Sequence, residues 1–268
     1  MVIEVNGVNY HVRLIGQGEP LLLLHGFTGE MSTWEAIIPY LGDKFQLVLV
    51  DILGHGKTES PLDDKRYQIE EIAEDMKAIL MNLNLNKVNI LGYSMGGRLA
   101  LAFTILFPEM VNKLILESAS PGLRTEEERE ARRFQDESLA ERILENGLKS
   151  FVQYWTNIPL FQTQKKLSES IQLKIEQQRL QNNPIGLANS LKGMGTGSMP
   201  SFWEKLSFLE MPVLIITGSL DNKFCKIAEE MKNVISDAKH ETILSVGHAI
   251  HVEDSQKFGT IIKEFLSN

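Results

Sequence analysis

KVNILGYSMGGR, at residues 87–98, sets a serine between two glycines directly after a short apolar run. Its residues 92–96 match G-x-S-x-G, the pattern that presents a serine nucleophile on a tight turn between a strand and a helix. The serine is Ser94, and Arg98 lies one helical turn beyond it, on the same face. A site for neutral esters gains nothing from a fixed guanidinium beside its nucleophile. The stretch therefore predicts a strand, a turn and a helix, and it leaves the arginine to be explained.

Outward from this stretch, runs rich in Val, Ile and Leu alternate with segments of helical period, as in β-α-β units around a mostly parallel sheet. Eight strands are predicted, at 2–5, 9–15, 20–24, 46–51, 87–91, 112–117, 212–217 and 239–244. Helices are predicted at 33–41, 68–83, 95–107, 224–236 and 255–266. Asn6-Gly7 separates the first two strands and indicates a hairpin, so the sheet is expected to open with an antiparallel edge.

Residues 121–206 have a different pattern, with no predicted strand and many Glu, Arg, Gln and Lys side chains. TEEEREARRFQDESLAERILENGL, at 125–148, is amphipathic, and Thr125 is a suitable N-cap for it. The block is too long to be a loop. We therefore predict a core of residues 1–120 and 207–268, with a helical lid at 121–206 inserted over the strand ends that carry ligands in α/β folds.

The composition limits the partners of this protein. Its 268 residues include 27 Lys plus Arg against 35 Asp plus Glu, for a net charge of −8, and this acidic balance argues against a nucleic-acid partner. No apolar run is long enough to span a bilayer, and the N-terminus has no targeting pattern. Cys225 is the single cysteine and cannot form an internal disulfide. We expect a cytoplasmic protein with no membrane insertion and favour a monomer, although the oligomeric state is left open.

Two further strand ends supply the partners that a serine nucleophile needs. The strand at 212–217 runs into a loop with Asp221, and the last strand runs into Gly247-His248. A histidine takes the serine proton, and an acid holds the histidine in the right tautomer. The chain order Ser, Asp, His is that of the α/β-hydrolase fold. The predicted triad is therefore Ser94, Asp221 and His248.

Each partner in this triad has a competitor. His251 follows His248 by three residues, and Glu117 ends the strand at 112–117, where it is the alternative acid. We prefer His248 because it directly follows the glycine at the end of its strand. Asp254 is better explained as the N-cap of the last helix.

The strand at 20–24 ends in His25-Gly26-Phe27. The backbone N–H groups of Phe27 and Met95 are predicted to form an oxyanion hole, and His25 is then a structural residue. Four histidines could be counted as a metal cluster, but no ligand spacing supports this, and we predict no metal site: His25, His55, His248 and His251.

Several motifs occur in order across nearly the whole chain and resemble those of the α/β-hydrolase superfamily: LLLLHGFTG, DILGHGKTES, GYSMGGRLA, GSLDNKF and VGHAIHVE. Arg98, the SPGLR segment at 120–124, the arginine-rich helix after it and the D-x-K-F at 221–224 resemble one branch more closely. That branch is the 2-succinyl-6-hydroxy-2,4-cyclohexadiene-1-carboxylate synthase (MenH) family of menaquinone biosynthesis. The resemblance implies a lyase that eliminates pyruvate from 2-succinyl-5-enolpyruvyl-6-hydroxy-3-cyclohexene-1-carboxylate, with no cofactor.

The resemblance also implies a role for the arginines, because that substrate carries three carboxylates and arginine suits bidentate carboxylate binding. Six of the nine arginines lie at 121–206. By resemblance, the substrate-binding positions map to Arg98, Arg132, Arg179, Tyr93 and Trp155. Arg124 is the substitute among the arginines, and the alternative for Arg132 is a pair with Glu128 that merely solvates a helix face.

The implied mechanism uses Ser94, activated by His248 and Asp221, to take the proton from the carbon α to the succinyl ketone. The N–H groups of the oxyanion hole would then stabilise the enolate. Two other functions stay open. A serine carboxylesterase or C–C bond hydrolase would use the same triad without needing Arg98, and a non-catalytic small-molecule receptor could have the same fold.

Overall fold

Eight strands form one sheet in the computed structural model, which describes residues 1–268. The strands are β1 (Val2–Val5), β2 (Val8–Ile15), β3 (Glu19–Leu24), β4 (Phe45–Val50), β5 (Val88–Tyr93), β6 (Val111–Glu117), β7 (Val213–Gly218) and β8 (Ala238–Ile243). Their spatial order is β1-β2-β4-β3-β5-β6-β7-β8. Only the pairs β1–β2 and β2–β4 are antiparallel. The predicted mostly parallel sheet of eight strands is confirmed.

The antiparallel edge begins with a two-residue hairpin. Asn6 and Gly7 have φ values of 50° and 75°, and Val5 pairs with Val8 across the turn. Positive φ at both central positions gives the turn whose twist matches that of the flanking strands. The hairpin predicted from Asn6-Gly7 is confirmed.

Nine α-helices accompany the sheet: α1 (Ile38–Leu41), α2 (Ile69–Asn82), α3 (Met95–Leu106), α4 (Glu126–Thr156), α5 (Glu169–Leu180), α6 (Pro184–Met194), α7 (Asn222–Val234), α8 (Ile250–Glu253) and α9 (Ser255–Ser267). The single helix predicted at 33–41 is wrong. The segment is divided into a 3₁₀ turn at Met31–Trp34 and the one-turn α1, in which Pro39 is at the start. Proline has no N–H to continue a helix from the preceding turn, so the two pieces stay separate.

The sheet separates two apolar layers. Leu22 and Leu24 belong to the layer beneath α2 and α3, and Leu21 and Leu23 belong to the layer beneath α9. All four are fully buried, because alternate side chains of a strand point to opposite faces and both faces of this sheet are covered. The loops at the carboxyl ends of the parallel strands are left free to carry polar groups.

Residues 121–206 lie between β6 and β7 and contain α4, α5 and α6 but no strand. Thr125 caps α4 in a capping box with Glu128, as predicted for an N-cap. The last of these helices, α6, sits tightly on the core, because a Cβ at Gly186 would lie 2.2 Å from the carbonyl oxygen of Gly54. None of the helices combines the length and the apolar character that crossing a membrane requires.

Candidate active site

Ser94 lies on a sharp turn between β5 and α3. Its φ and ψ are 51° and −105°, a strained conformation for a residue with a side chain. The chain packs so closely here that a Cβ at Gly92 would lie 2.3 Å from the Gly96 oxygen, and one at Gly96 would lie 2.1 Å from the Leu24 oxygen. The glycines of G-x-S-x-G are therefore required by close backbone contacts, and they leave the serine hydroxyl at the carboxyl end of the sheet.

Within the predicted triad, His248 lies within hydrogen-bonding distance of both Ser94 and Asp221. His248 Nε2 is 3.0 Å from Ser94 Oγ, and His248 Nδ1 is 2.6 Å from Asp221 Oδ2. Asp221 Oδ1 accepts a bond from the N–H of Phe224 and so caps α7. Both His248 and Asp221 are buried. In this arrangement the imidazole can take the serine proton while the carboxylate holds its far nitrogen.

His251 and Glu117, the competing base and acid, are bonded to each other. Glu117 Oε1 lies 2.8 Å from His251 Nδ1 and accepts a bond of 3.0 Å from the His251 N–H. Both residues are buried, and the imidazole packs against the ring of Tyr93. Neither side chain bonds to the Ser94 hydroxyl, whose partner is His248. Asp254 caps α9 through the N–H of Lys257, as predicted.

One donor of the predicted oxyanion hole, the N–H of Phe27, lies on a four-residue turn at 26–29. The turn is closed by the bond from the Gly29 N–H to the Gly26 oxygen, and Thr28 has a φ of 67°. The N–H of Phe27 has no acceptor within the protein, and Met95 is the first residue of α3, where N–H groups have no intrahelical partner. Both donors are therefore available to a ligand oxygen.

Two buried histidines support this turn. His25 lies with Nδ1 2.8 Å from the Gly26 oxygen and accepts a bond from the Ile52 N–H through Nε2. His55 packs its ring against Phe27, and burial lowers the pKa of His55 to about 3. His25 thus joins backbone groups of two loops, and His55 Nδ1 lies 3.1 Å from the Leu53 oxygen, so both are structural residues that support the turn.

A cavity of about 210 Å³ opens beside Ser94. It is lined by eight of the ten predicted site residues and backbone donors: Phe27, Tyr93, Ser94, Met95, Arg98, Arg132, Trp155 and His248. Asp221 lies behind His248, and Arg179 lies elsewhere. A larger open groove of about 1100 Å³, between α4 and Asp64–Tyr67, is lined mainly by exposed charged side chains and holds none of them.

Arg98 lies in the wall of this cavity without an acidic partner. Its Nη2 donates to the Met194 oxygen at 2.8 Å, whereas its Nε is buried with no acceptor. Burial, together with the neighbouring Arg132, lowers the pKa of Arg98 to about 10. The guanidinium is thus charged at neutral pH but only partly hydrogen-bonded.

Arg132 is held by Asp136, a residue that the sequence did not single out. Arg132 Nε donates to Asp136 Oδ1 at 2.9 Å, while Asp136 Oδ2 is buried without a partner and burial raises the pKa of Asp136. The pair with Glu128 that could have explained Arg132 does not form, because Glu128 accepts bonds at the start of α4. The sequence could have indicated this pair, because residues four apart are neighbours on a helix surface, as Arg132 and Asp136 are.

The structure does not bring Arg179 into the cavity with Ser94. It lines a smaller neighbouring cavity of about 40 Å³, and Phe27, Tyr93 and Phe161 line both cavities. Arg179 is only 5% exposed, donates to Thr156 Oγ1 at 2.8 Å and has no acidic partner. Burial lowers the pKa of Arg179 to about 10.

Arg124, the substitute among the arginines, lies outside both cavities. Its guanidinium is 3.6 Å from the centre of the Trp203 ring and 2.6 Å from Glu230 Oε2 on α7. It therefore joins the start of the inserted segment to the core surface.

The alpha/beta hydrolase fold family model matches residues 19–255 of the chain. The chain belongs to this family. It is 46% identical over 265 residues to a Bacillus subtilis (strain 168) protein provisionally named 2-succinyl-6-hydroxy-2,4-cyclohexadiene-1-carboxylate synthase, covering 98% of this chain and 96% of that one. The structure of this chain is also similar to that of MenH from S. aureus, with a TM-score of 0.92 and 36% identity. The match covers 96% of this chain and 98% of the S. aureus chain. A malate-bound thermophilic esterase from Thermogutta terrifontis gives a TM-score of 0.87 at 26% identity, covering 99% and 96%.

Proposed function

We propose that this chain is a lyase of menaquinone biosynthesis that eliminates pyruvate from 2-succinyl-5-enolpyruvyl-6-hydroxy-3-cyclohexene-1-carboxylate. The product is 2-succinyl-6-hydroxy-2,4-cyclohexadiene-1-carboxylate. The similarity to the B. subtilis and S. aureus proteins supports the reaction, and the chemistry of the cavity supports the substrate class.

One observation carries the proposal: the partly buried Arg98 in the cavity beside Ser94 and the buried Arg179 in the neighbouring cavity both lack a carboxylate to pair with. Removing a guanidinium from water costs several kcal/mol unless an anion offsets the loss. A neutral ester has no anionic group that could offset this loss of hydration. A substrate with three carboxylates supplies the missing anions, which is why we favour it over the substrate of an esterase or C–C bond hydrolase.

The proposed mechanism assigns the chemistry to the triad. His248, oriented by Asp221, takes the hydroxyl proton of Ser94, and the Ser94 oxygen takes the proton from the ring carbon α to the succinyl ketone. The electron pair moves into the ketone as an enolate, which accepts bonds from the N–H groups of Phe27 and Met95.

The second half of the reaction expels the enolpyruvyl group. As the ketone re-forms, the electron pair passes through the ring double bond and breaks the bond between the ring and the enolpyruvyl oxygen. The leaving oxygen takes a proton from His248, the proton on Ser94 restores the triad, and enolpyruvate tautomerises to pyruvate. The net change is loss of pyruvate, with no oxidant, metal or cofactor in the balance.

Residues 121–206 are proposed to act as a lid in this reaction. The cavity of about 210 Å³ is smaller than the roughly 300–1,000 Å³ of typical small-molecule sites. A shift of α4 and α5 that moves Phe161 would join the two cavities and bring Arg179 to the substrate, between walls formed by Tyr93 and Trp155. All of these groups belong to one chain, so a monomer could bind the small anionic substrate and carry out the reaction. We also propose the cytoplasmic location that the sequence predicts.

The test is to incubate the protein with the enolpyruvyl substrate and follow pyruvate by its reduction with lactate dehydrogenase. A neutral aryl ester is assayed in parallel. We expect pyruvate release with a kcat/KM of at least about 10⁴ M⁻¹s⁻¹, in the usual range for enzymes, and a much slower ester reaction. Rapid ester hydrolysis without pyruvate release would reject the lyase in favour of the hydrolase.

A further inference from the structure

Asn182 joins the inserted segment to the turn that carries the Phe27 N–H. It lies between α5 and α6, is 4% exposed and follows Arg179 by three residues. Its Nδ2 donates to the Thr28 oxygen at 2.9 Å and to the Arg179 oxygen at 3.2 Å. Its Oδ1 accepts from the Gly56 N–H at 3.1 Å. Because carbonyl groups lie on one side and an N–H on the other, only one orientation of the amide satisfies all three bonds.

The Thr28 carbonyl, which accepts the bond from Asn182, belongs to a residue with an unfavourable backbone conformation. Thr28 is β-branched, and its φ of 67° is unfavourable for such a residue, so the turn at 26–29 needs support from its surroundings. The N–H of Phe27, the proposed oxyanion donor, belongs to this same turn. A bond that fixes the Thr28 carbonyl therefore limits the directions in which the Phe27 N–H can point.

The second contact of Asn182 reaches the other support of the turn. Gly56, which donates to Asn182, directly follows His55, and the His55 ring packs edge-on against the Phe27 ring at 5.7 Å. The amide of Asn182 thus bridges the two loops that enclose Phe27, from a residue in the inserted segment.

We propose that Asn182 is a positioning residue that fixes the Phe27 N–H for the enolate oxygen and makes this donor dependent on the docking of α5. The inference rests on the proposed function. Its consequence is that the carboxylate-binding Arg179 and the oxyanion donor are tied to one short segment, so the donor is complete only when the end of α5 is in place.

The experiment compares Asn182→Ala and Asn182→Asp with Gln178→Ala. The aspartate keeps an acceptor for the Gly56 N–H but sets a carboxylate oxygen against the Thr28 oxygen. Gln178 is a matched control, because its amide also ties α5 to the core, through Ser32 Oγ at 2.7 Å and Glu30, without a hydrogen bond to residues 26–29. We expect kcat for pyruvate release to fall roughly 10- to 100-fold in both Asn182 variants, as for a misplaced catalytic group, with KM changed less than about twofold. Gln178→Ala should keep kcat.

Two further readouts separate positioning from general loss of structure. Ester hydrolysis should fall by a similar factor, because both reactions use the same donor. Amide hydrogen exchange at residues 26–29 should accelerate in Asn182→Ala and not in Gln178→Ala, whether or not the wild type releases pyruvate. If the wild type releases no pyruvate, the proposed function is contradicted. Hydrogen exchange and the ester assay then still test whether Asn182 positions the turn. An unchanged kcat, or unchanged exchange in the turn, would overturn the role of Asn182.

Discussion

The two ends of the cavity beside Ser94 differ in how completely their polar groups are paired. At one end Ser94, His248 and Asp221 form a continuous chain of bonds, and none of their buried side-chain atoms lacks a partner. At the other end Arg98 Nε is buried without one. Buried polar groups are normally paired, so unpaired ones within a site indicate where a ligand completes the bonding. We name these the reacting end and the binding end after their proposed roles: the bonds of the reacting end are complete without a ligand, and those of the binding end are not.

The two ends also differ in charge. Two guanidiniums and one carboxylate, from Arg98, Arg132 and Asp136, leave a net positive charge at the binding end of a protein whose overall charge is −8. The reacting end is surrounded instead by the rings of Tyr93 and Phe224. The positive charge of Arg98 and Arg132 therefore attracts an anion to the binding end, which would help to orient it.

The largest effect should come from breaking the reacting end. Ser94→Ala and His248→Ala are each expected to lower pyruvate release by at least about 10³-fold, because members of such a triad act as a unit. The double variant should be about as slow as either single variant. Steady-state rates of the three proteins test this, and a double loss equal to the product of the single losses would show that the two residues act independently.

Breaking the binding end should affect anionic substrates alone. Arg98→Ala is expected to cost roughly 2 to 5 kcal/mol in kcat/KM for the substrate with three carboxylates, because a desolvated carboxylate loses its partner. Neutral esters should be hydrolysed as before, and Arg98→Lys should recover only part of the loss, since a point charge cannot make two parallel bonds.

A control for Arg98 is Arg98→Met, which keeps the apolar stem and removes the charge. Since burial lowers the pKa of Arg98 to about 10, the charged form costs stability at neutral pH, and the thermal midpoint of Arg98→Met should not fall. Equal losses on neutral and anionic substrates, together with a lower midpoint, would show that Arg98 only stabilises α3.

The supports of the reacting end should make the fold sensitive to acid. An unfolded histidine takes a proton near pH 6.5, whereas burial lowers the pKa of His55 to about 3. Between these values the unfolded chain binds the additional proton, so the free energy of unfolding falls as the pH falls, by about 1.4 kcal/mol per unit at most. Urea unfolding at pH 6 and pH 4 should show about 2.5 kcal/mol less acid destabilisation in His55→Gln than in the wild type. Equal losses in both proteins would exclude His55 as the source.

The smallest effect expected is a change in hydrogen exchange at the binding end. If residues 121–206 close over the substrate, the amides of α4 and α5 should gain protection when a product analogue binds. The amides of α6 should change little, because Gly186 already packs against Gly54. Unchanged protection in α4 and α5 would remove the lid from the mechanism, and equal gains in all three helices would mean that the whole insertion moves together.

The sequence by itself determined the sheet and the residues at its strand ends. A strand that is buried on both faces is a continuous apolar run, such as Leu21–Leu24, and such a run can be recognised from neighbouring residues alone. Every predicted strand end lies within two residues of the observed one. Because parallel strands end at one edge of the sheet, the loops with Ser94, Asp221 and His248 had to meet there. Local periodicity and chain order were sufficient for these features.

Only the tertiary structure decided which neighbours the remaining polar groups have. His248 and His251 are three residues apart in sequence, yet His248 pairs with Asp221 whereas His251 pairs with Glu117. The position of Asn182 depends in the same way on contacts that cross more than a hundred residues of sequence, as in the bond from Asn182 to Thr28. Such contacts follow from how α5 docks on the core, and side-chain pairing between distant segments leaves no period in the sequence to reveal it.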